Sequence, residues 1–222
     1  MLVLVTGGSG SGKSAYAEEK ILSFGRGKRI YIATMFPFDK ESAARILRYR
    51  QMRAGKGFET VERYTDLKGL KLDPDSVVLL ECMSNLTANE MFQEEGAHER
   101  TVEAVMEGVK HLRDSVQHLV IVTNEIFSET AQYLGETALY QSYLGEINRQ
   151  IAGEADEVTE VVSGIPVYQL GVNPPADIAS GKIAEVRRRS MSCNCMTRTS
   201  QQECRGILEL KGGCVPDEKN VE

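Results

Sequence analysis

The sequence has no apolar run that approaches the roughly 18 residues needed to span a bilayer. Its start carries neither a basic n-region nor a secretory cleavage site, because residues 2–6 already have the composition of a strand. Basic residues are outnumbered, since 26 Lys and Arg stand against 32 Asp and Glu and the net charge is −6. We therefore expect a cytoplasmic protein with no membrane span and no general affinity for nucleic acids.

Histidine is scarce, with three residues in a chain of 222. His98, His111 and His118 all lie in or at the end of one segment with a helical pattern. We expect each of them to be a surface or core residue of that segment and not a catalytic group.

Cysteine is almost absent before the C-terminal 30 residues. Four of the five cysteines lie there, namely Cys193, Cys195, Cys204 and Cys214. Zinc sites usually contain C-x₂₋₄-C pairs, which this spacing does not provide, and a cytoplasmic setting disfavours disulfides. We expect a flexible tail with reduced thiols, and a structural Zn²⁺ site is the alternative.

Residues 7–14 read as a phosphate-binding loop. They follow the apolar run 2–6, a predicted strand, and open a segment with a helical pattern. This setting disfavours the alternative of a Gly/Ser-rich turn that matches by accident. Glycines let backbone N–H groups face a polyphosphate, Lys13 can reach the β- and γ-phosphates, and the Ser14 hydroxyl can ligate Mg²⁺. The predicted contacts to a nucleoside triphosphate are Gly7, Gly8, Ser9, Gly10, Ser11, Gly12, Lys13 and Ser14.

Apolar, β-branched segments alternate with helical patterns along most of the chain. The predicted strands are 2–6, 29–34, 76–81, 118–123, 157–163 and 165–170. The predicted helices are 14–24, 39–54, 98–117 and 129–155, the last either continuous or broken near Gly135 or Gly145. This alternation predicts an α/β fold of the P-loop NTPase (RecA-like) class, with a largely parallel central sheet and helices on both faces. We assign residues 1–172 to this domain and 173–222 to a C-terminal extension that contains the cysteines.

Glu81 ends the third predicted strand, after four apolar residues. Because ligands of parallel sheets bind at the carboxyl ends of the strands, Glu81 is expected to lie beside the bound phosphates. It can hold Mg²⁺ through water or take the proton of an attacking hydroxyl. The alternative is an ordinary acid at a strand end.

A set of further segments occurs in a characteristic order. It comprises Gly7-Gly8-x-x-Ser11-Gly12-Lys13-Ser14-x-x-Ala17-Glu18, Tyr31-Ile32-Ala33-Thr34, Glu41-x-x-Ala44-Arg45-Ile46, Leu80-Glu81-Cys82-Met83-Ser84-x-x-x-x-Asn89, Val122-Thr123-Asn124-Glu125, Asn148-Arg149-Gln150-Ile151-Ala152, Ala155-Asp156-Glu157-Val158 and Val162-Ser163-Gly164-Ile165-Pro166. In order and spacing, these segments resemble the bifunctional adenosylcobinamide kinase/adenosylcobinamide-phosphate guanylyltransferase family of cobalamin biosynthesis. The likeness covers about residues 1–170.

The resemblance implies two reactions. Such enzymes transfer the γ-phosphoryl group of a nucleoside triphosphate, ATP or GTP, to the aminopropanol hydroxyl of adenosylcobinamide, with Mg²⁺ as cofactor. They then form a covalent guanylyl-histidine from GTP and pass GMP to adenosylcobinamide phosphate. Family members are trimers in which a helix region of one subunit helps to complete a neighbour's nucleotide site. By matched position, the nucleotide contacts beyond the phosphate loop are Thr34, Met35, Phe36, Arg50, Gln51, Met52, Arg53, Glu62 and Glu81.

The chain departs from the family pattern at the nucleophile. Tyr49 stands where the resemblance places the guanylylated histidine. Imidazole is both a nucleophile and a leaving group near neutral pH, whereas a tyrosine, with a pKa near 10, needs strong activation and forms a more stable diester. Tyr140-Gln141-Ser142 also replaces an aromatic-Arg-Asp motif of the family. The kinase activity, which needs mainly Lys13, Ser14 and Glu81, is therefore the expected one, and guanylyl transfer is in doubt.

Two other functions fit the same residues. The first is a P-loop kinase or NTPase acting on another small hydroxyl compound, and the second is a catalytically silent nucleotide-binding regulator. Weaker candidate site residues are Asp39, Glu41 and Arg45 at the start of the second helix, for which helix capping and pairing are the expected roles. Glu125, beyond the fourth strand, is either a site acid or a loop cap.

Overall fold

The computed structural model describes residues 1–25, 27–128 and 133–170. The strands are β1 (Leu2–Thr6), β2 (Lys28–Ala33), β3 (Phe58–Glu62), β4 (Ser76–Glu81), β5 (His118–Val122), β6 (Glu157–Val162) and β7 (Ile165–Leu170). The helices are α1 (Lys13–Ser23), α2 (Lys40–Arg53), α3 (Met83–Phe92), α4 (Thr101–Ser115) and α5 (Glu136–Glu154), and short 3₁₀ turns occur at 54–56, 67–69 and 98–100. Within the described ranges no helix is long and apolar enough to cross a bilayer.

The strands form one seven-stranded sheet in the order β3-β2-β4-β5-β1-β6-β7. All neighbouring strands are parallel except β6 and β7, which form an antiparallel hairpin at the edge. The strand that precedes the phosphate loop, β1, therefore lies inside the sheet, between β5 and β6. This order confirms the predicted RecA-like α/β fold.

Helices cover both faces of the sheet, as the sequence predicts. One face packs its Leu and Ile side chains against α3, α4 and α5, through residues such as Leu86, Val109 and Ile147. The other face is covered by α1, through Ala17 and Ile21. Consecutive residues of each inner strand face opposite layers, so strands buried on both faces are apolar throughout. This explains the unbroken apolar runs at β1, β4 and β5.

α2 differs from the other helices because none of its described side chains is in either core cluster. Among its described side chains, Arg53 alone is buried. Asp39 caps its first turn, since the Asp39 carboxylate accepts a hydrogen bond from the backbone N–H of Ser42 at 2.7 Å. The expected capping role of Asp39 is therefore present in the structure.

Predicted and observed elements differ in four places. β3 and α3 were not predicted: β3 is a mostly polar edge strand, and α3 is buried on most sides and lacks a one-sided apolar stripe. The predicted helix 98–117 is a 3₁₀ turn at 98–100 followed by α4, and His118 opens β5. α5 begins after Gly135, whose φ is +62°, and continues through Gly145 without a break. Residues 129–132 and the extension from 171 onward, including its four cysteines, lie outside the described residues.

Candidate phosphate-binding site

The loop between β1 and α1 is shaped by its glycines. Gly10 and Gly12 have φ values of +70° and +91°, which favour glycine. A Cβ atom at Gly7 would lie 2.5 Å from the carbonyl oxygen of Val161. The turn of the β6–β7 hairpin supports the loop from outside, because the N–H of Gly164 donates to the carbonyl of Ser11 at 2.8 Å. The β6–β7 hairpin therefore contacts the loop on one side, while Ser9 and Gly10 are exposed.

Lys13 is folded back onto this loop. Its Nζ donates a hydrogen bond to the carbonyl oxygen of Gly8 at 3.0 Å, and the residue is largely buried. Burial lowers the pKa of Lys13, an effect that the nearby Cys82 and Glu81 partly oppose. A buried ammonium group with one carbonyl partner has further donor capacity for an anionic ligand.

Glu81 lies at the carboxyl end of β4 and faces the start of α1. Its carboxylate accepts a hydrogen bond from the Ser14 hydroxyl. Burial raises the pKa of Glu81, and the hydrogen bonds from Ser14 and Tyr31 partly offset that rise. The two residues predicted to bind Mg²⁺ are thus in direct contact. A hydroxyl and a carboxylate at this place are the hard oxygen donors that Mg²⁺ prefers, together with phosphate oxygens.

Thr34, directly after β2, holds the neighbouring strand ends together. Its hydroxyl donates to the carbonyl of Cys82 and accepts from the N–H of Cys82, both at 2.8 Å. The side-chain amide of Asn89 donates to the carbonyls of Thr34 and Tyr64, at 2.8 and 3.0 Å. Three strand ends are fixed in this way around Glu81. The side chain of Thr34 is engaged by the protein itself, and a nucleotide contact from this residue stays a prediction.

Aromatic rings cluster beyond β2 and β3. The ring centroid of Phe36 lies 4.8 Å from that of Phe38 and 5.0 Å from that of Tyr64. Phe38 is 73% exposed. Met35, which directly precedes Phe36 in the sequence, is half-buried. The predicted contacts Met35 and Phe36 thus lie at the same edge of the sheet as Glu81.

The predicted segment 50–53 divides into two parts. Arg50 forms an ion pair with Glu62 at the end of β3, which brings two predicted nucleotide contacts together. Arg53 is buried, and its guanidinium carbon lies 3.5 Å from the centre of the Tyr31 ring. Gln51 is exposed, and the side chain of Met52 lies outside the described part of the chain.

Tyr49 is 37% exposed on α2. The guanidinium carbon of Arg48 lies 5.6 Å from the centre of its ring. This contact is the type of interaction that an exposed helix residue makes with its neighbour. A nucleophilic role for Tyr49 stays a prediction.

Glu125 and the histidines have contacts within the protein, whereas the side chain of Arg45 lies outside the described part of the chain. Glu125 caps its own loop, because its carboxylate accepts hydrogen bonds from the N–H groups of Phe127 and Ser128 at 2.8 and 3.1 Å. Ring nitrogens of His98 and His111 lie 3.1 and 2.9 Å from the carbonyl oxygens of Met91 and Leu70.

His118 stacks on Phe24 with a centroid distance of 4.1 Å, at the amino end of β5 and far from the loop in the sheet. Burial, followed by the charge of the chain's amino terminus, lowers the pKa of this imidazole. Each histidine thus has a contact within the protein, and the expectation that none of them is catalytic stays a prediction.

One absence and one distant cavity bear on the extent of the site. Among residues 1–25, 27–128 and 133–170, no group of three or more His, Cys, Asp and Glu side chains could hold a metal ion by itself. A cavity of about 710 Å³ is lined by Gly27, Lys28, Arg29, Asp75 and Gln117. These residues precede or begin β2, β4 and β5, so the cavity lies at the amino ends of the strands, opposite the phosphate loop.

Tyr31 and Asn89 belong to the sequence motifs, but the sequence predicts no site role for either of them. Tyr31 contacts Glu81 and Arg53, and Asn89 ties two strand ends together. The sequence signal for Tyr31 is a tyrosine within an apolar strand. Asn89 has no such local signal, since its burial, at 3% exposure, is visible only in the structure.

The position of the loop, after an inner strand and opposite a strand-end acid, defines the class: the protein is a P-loop NTPase by fold. Residues 3–168 match the family described as cobinamide kinase / cobinamide phosphate guanyltransferase. The chain belongs to this family, which confirms the resemblance noted from the sequence motifs.

Curated relatives agree with this assignment. The bifunctional adenosylcobalamin biosynthesis protein CobU of Escherichia coli (strain K12) is 35% identical over 181 residues, which cover 75% of this chain and 98% of that protein. The protein of the same name from Salmonella typhimurium (strain LT2) is 35% identical over 184 residues, covering 75% of this chain and 98% of that protein. Among solved structures, the RadB recombinase superposes with a TM-score of 0.40 at 17% identity, over 78% of this chain and 82% of that chain.

Proposed function

We propose that this protein is an adenosylcobinamide kinase of cobalamin biosynthesis that works in the cytoplasm. It transfers the γ-phosphoryl group of ATP or GTP to the aminopropanol hydroxyl of adenosylcobinamide. The observation that carries this proposal is the contact of the Ser14 hydroxyl with the Glu81 carboxylate beside the phosphate loop. The chain is a member of a kinase family, and this contact brings together a hydroxyl and a carboxylate that phosphoryl transfer uses beside the phosphates.

The site residues have separate tasks in this reaction. Lys13 exchanges its bond to the Gly8 carbonyl for the β- and γ-phosphate oxygens, and the glycine-rich loop turns its N–H groups toward them. Ser14 and Glu81 would hold Mg²⁺, which neutralises phosphate charge when it is bound. The bond from the γ-phosphorus to the bridging oxygen breaks, a bond to the acceptor oxygen forms, and the hydroxyl proton passes to the Glu81 carboxylate.

We propose further that guanylyl transfer is absent. The family reaction needs an imidazole at position 49, and this chain has a tyrosine there, exposed on α2. The three histidines of the chain lie elsewhere, in a 3₁₀ turn, in α4 and at the start of β5. A phenol without an adjacent base is a poor nucleophile at neutral pH and a poor leaving group afterwards.

A homotrimer is part of the proposal. The described side chains of α2 are absent from both core clusters, and Leu47 and Tyr49 are exposed to solvent. An exposed helix with large apolar side chains is typical of a surface that another chain covers. Light scattering after size-exclusion chromatography tests this part, and a monomer would contradict it.

The experiment for the kinase activity follows label from two nucleotides. Purified protein is incubated with adenosylcobinamide, Mg²⁺ and either γ-labelled ATP or α-labelled GTP. We expect γ-label in the corrinoid, and α-label in neither the corrinoid nor the protein. Transfer of the γ-label to water or to another hydroxyl compound would favour a different P-loop enzyme, and nucleotide binding without turnover would favour the silent regulator.

Tyr49→His is the matched variant for the second activity, since it returns the family's imidazole to an exposed position that the core does not depend on. If the chain lacks the histidine but keeps the rest of the guanylyl-transfer site, Tyr49→His acquires acid-labile label from α-labelled GTP, whereas Tyr49→Phe does not. Label on the unchanged protein would contradict the proposed loss.

A further inference from the structure

Tyr31 lies in the middle of β2 and is 5% exposed. The register of the sheet places Tyr31 opposite Leu79 of β4, two residues before Glu81. Side chains two residues apart on a strand share a face, so Tyr31 and Glu81 lie on the same side of the sheet, which is the side that α1 covers. The phosphate loop leads into α1 and approaches from that side.

The face of the Tyr31 ring supports Arg53. The guanidinium carbon of Arg53 lies 3.5 Å from the ring centroid, close enough for a strong cation–π contact. Arg53 is 6% exposed, and its Nε is buried without a hydrogen-bond partner. The unused Nε–H of this buried guanidinium is donor capacity for an anionic ligand. The ring holds this cation in place at the end of an otherwise exposed helix.

The hydroxyl of Tyr31 contacts the second group of the site. It lies close enough to the Glu81 carboxylate to lower the pKa of that group, and the same carboxylate accepts the bond from Ser14. The carboxylate is thus held from two directions, by the first turn of α1 and by β2. One side chain therefore contacts both the acid and the cation, one through its hydroxyl and one through its ring.

We propose that Tyr31 is a positioning residue that sets the places of Glu81 and Arg53 before the nucleotide binds. This inference rests on the proposed function, because the roles of Glu81 and Arg53 are those that phosphoryl transfer gives them. The hydroxyl fixes the carboxylate for the transfer step, and the ring fixes the guanidinium for binding of the terminal phosphate. The two parts of the side chain consequently affect different measurable constants.

The test separates the hydroxyl from the ring. Tyr31→Phe removes the hydroxyl alone, and Tyr31→Leu removes both the hydroxyl and the ring. Tyr16→Phe is the control, because the Tyr16 hydroxyl is also part-buried and lies 3.4 Å from Glu157 and from Tyr168, away from Glu81. The kinetic readouts are kcat and KM with adenosylcobinamide. A separate readout without turnover is the Kd of the triphosphate and of the diphosphate, from fluorescence of a labelled nucleotide.

We expect Tyr31→Phe to lower kcat about 10-fold, as for loss of a hydrogen bond to a charged group, with the triphosphate Kd within about 2-fold of the unchanged protein. We expect Tyr31→Leu to weaken triphosphate binding about 10-fold in addition, and diphosphate binding less, because Arg53 loses its support. Tyr16→Phe should leave all of these constants unchanged.

Equal constants in Tyr31→Phe, Tyr16→Phe and the unchanged protein would overturn the role of the hydroxyl. Unchanged triphosphate binding in Tyr31→Leu would overturn the role of the ring. If Tyr31→Leu does not fold, Tyr31→Met takes its place, with the same expected Kd. If the unchanged protein binds nucleotide but does not phosphorylate adenosylcobinamide, the proposed function fails, while the binding readout still decides whether Tyr31 positions Arg53.

Discussion

The Ser14 hydroxyl donates a hydrogen bond to the carboxylate of Glu81, across 67 positions of the chain. Ser14 lies in the first turn of α1 and Glu81 ends β4, so the contact joins the phosphate loop to a strand that β5 separates from β1 in the sheet. The site therefore depends on the packing of α1 against the sheet, where Ala17 and Ile21 are fully buried.

Replacement of Lys13 by alanine is expected to abolish nucleotide turnover, with at least a 100-fold loss of kcat/KM, because a positioned cation is lost from the transferred phosphate. Folding should be unaffected, since burial disfavours the charged form of this lysine. The control is Lys68→Ala, which removes an exposed lysine paired with Glu107 at 2.9 Å. An unchanged turnover rate in Lys13→Ala would remove the P-loop mechanism.

Gly7 and Gly8 form a matched pair for the shape of the loop. A Cβ at Gly7 would lie 2.5 Å from the Val161 carbonyl and 2.6 Å from the Ser11 hydroxyl, whereas a Cβ at Gly8 meets nothing within 4 Å. We expect Gly7→Ala to lower the free energy of unfolding by about 1–3 kcal/mol and Gly8→Ala to change it little. Urea unfolding without nucleotide measures both. Equal stability of the two variants would contradict the described loop.

Glu81→Gln should raise stability while it removes activity. Burial raises the folded-state pKa of Glu81 above the ordinary value, so the folded protein holds this proton more tightly than the unfolded chain does. The stabilising contribution is then fully present below the unfolded pKa and is lost as the pH rises through the folded pKa. Glutamine does not titrate. The variant's advantage in unfolding free energy should therefore widen as the pH rises through that interval.

This prediction is checked by urea unfolding of both proteins from pH 4 upward, without nucleotide. Activity should fall at least 100-fold in the variant, because the proton acceptor is lost. A stability difference that is the same at every pH would show that Glu81 titrates alike in the folded and unfolded states.

Gly108 allows α4 to approach the 3₁₀ turn at 67–69. A Cβ at Gly108 would lie 2.5 Å from the Cβ of Leu67, which is buried in the core. Gly108→Ala is expected to lower the free energy of unfolding by about 1–3 kcal/mol. Gly153→Ala, in α5, meets nothing within 4 Å and should raise it by about 0.5–1 kcal/mol. Thermal unfolding of the two variants should shift in opposite directions, and a shared direction would contradict the close helix approach.

The elements that were predicted from the sequence are those with a local signal. β1, the phosphate loop and β4 are apolar runs that end in polar residues, and their bounds agree with the structure within a residue. β3 escaped prediction because it is a polar edge strand beside β2, and its place at that edge depends on the order of the whole sheet. α3 escaped because seven of its ten residues are buried, so it has no contrast between two faces.

The site shows the same division. The loop and the acid at the end of β4 follow from short-range patterns. The stacking of Arg53 on Tyr31 does not, because it joins the end of α2 to β2 across the surface of the sheet. The two hydrogen bonds that Asn89 donates to the carbonyls of Thr34 and Tyr64 likewise need β2 and β3 to end side by side. Such contacts are properties of the tertiary structure, and no local spacing encodes them.

Among its described contacts, α2 reaches the rest of the protein through its last turn, by the ion pair of Arg50 with Glu62 and by Arg53 on Tyr31. The ion pair of Lys56 with Glu18 follows just beyond the helix. Substitutions along its exposed length leave the sheet and its two cores untouched. A catalytic residue on such a helix can change in evolution without loss of the folded domain. Under the proposed function, the Ser14 and Glu81 groups used for phosphoryl transfer are held by α1 and the sheet, whereas the position matched to the family's histidine lies on the exposed length of α2.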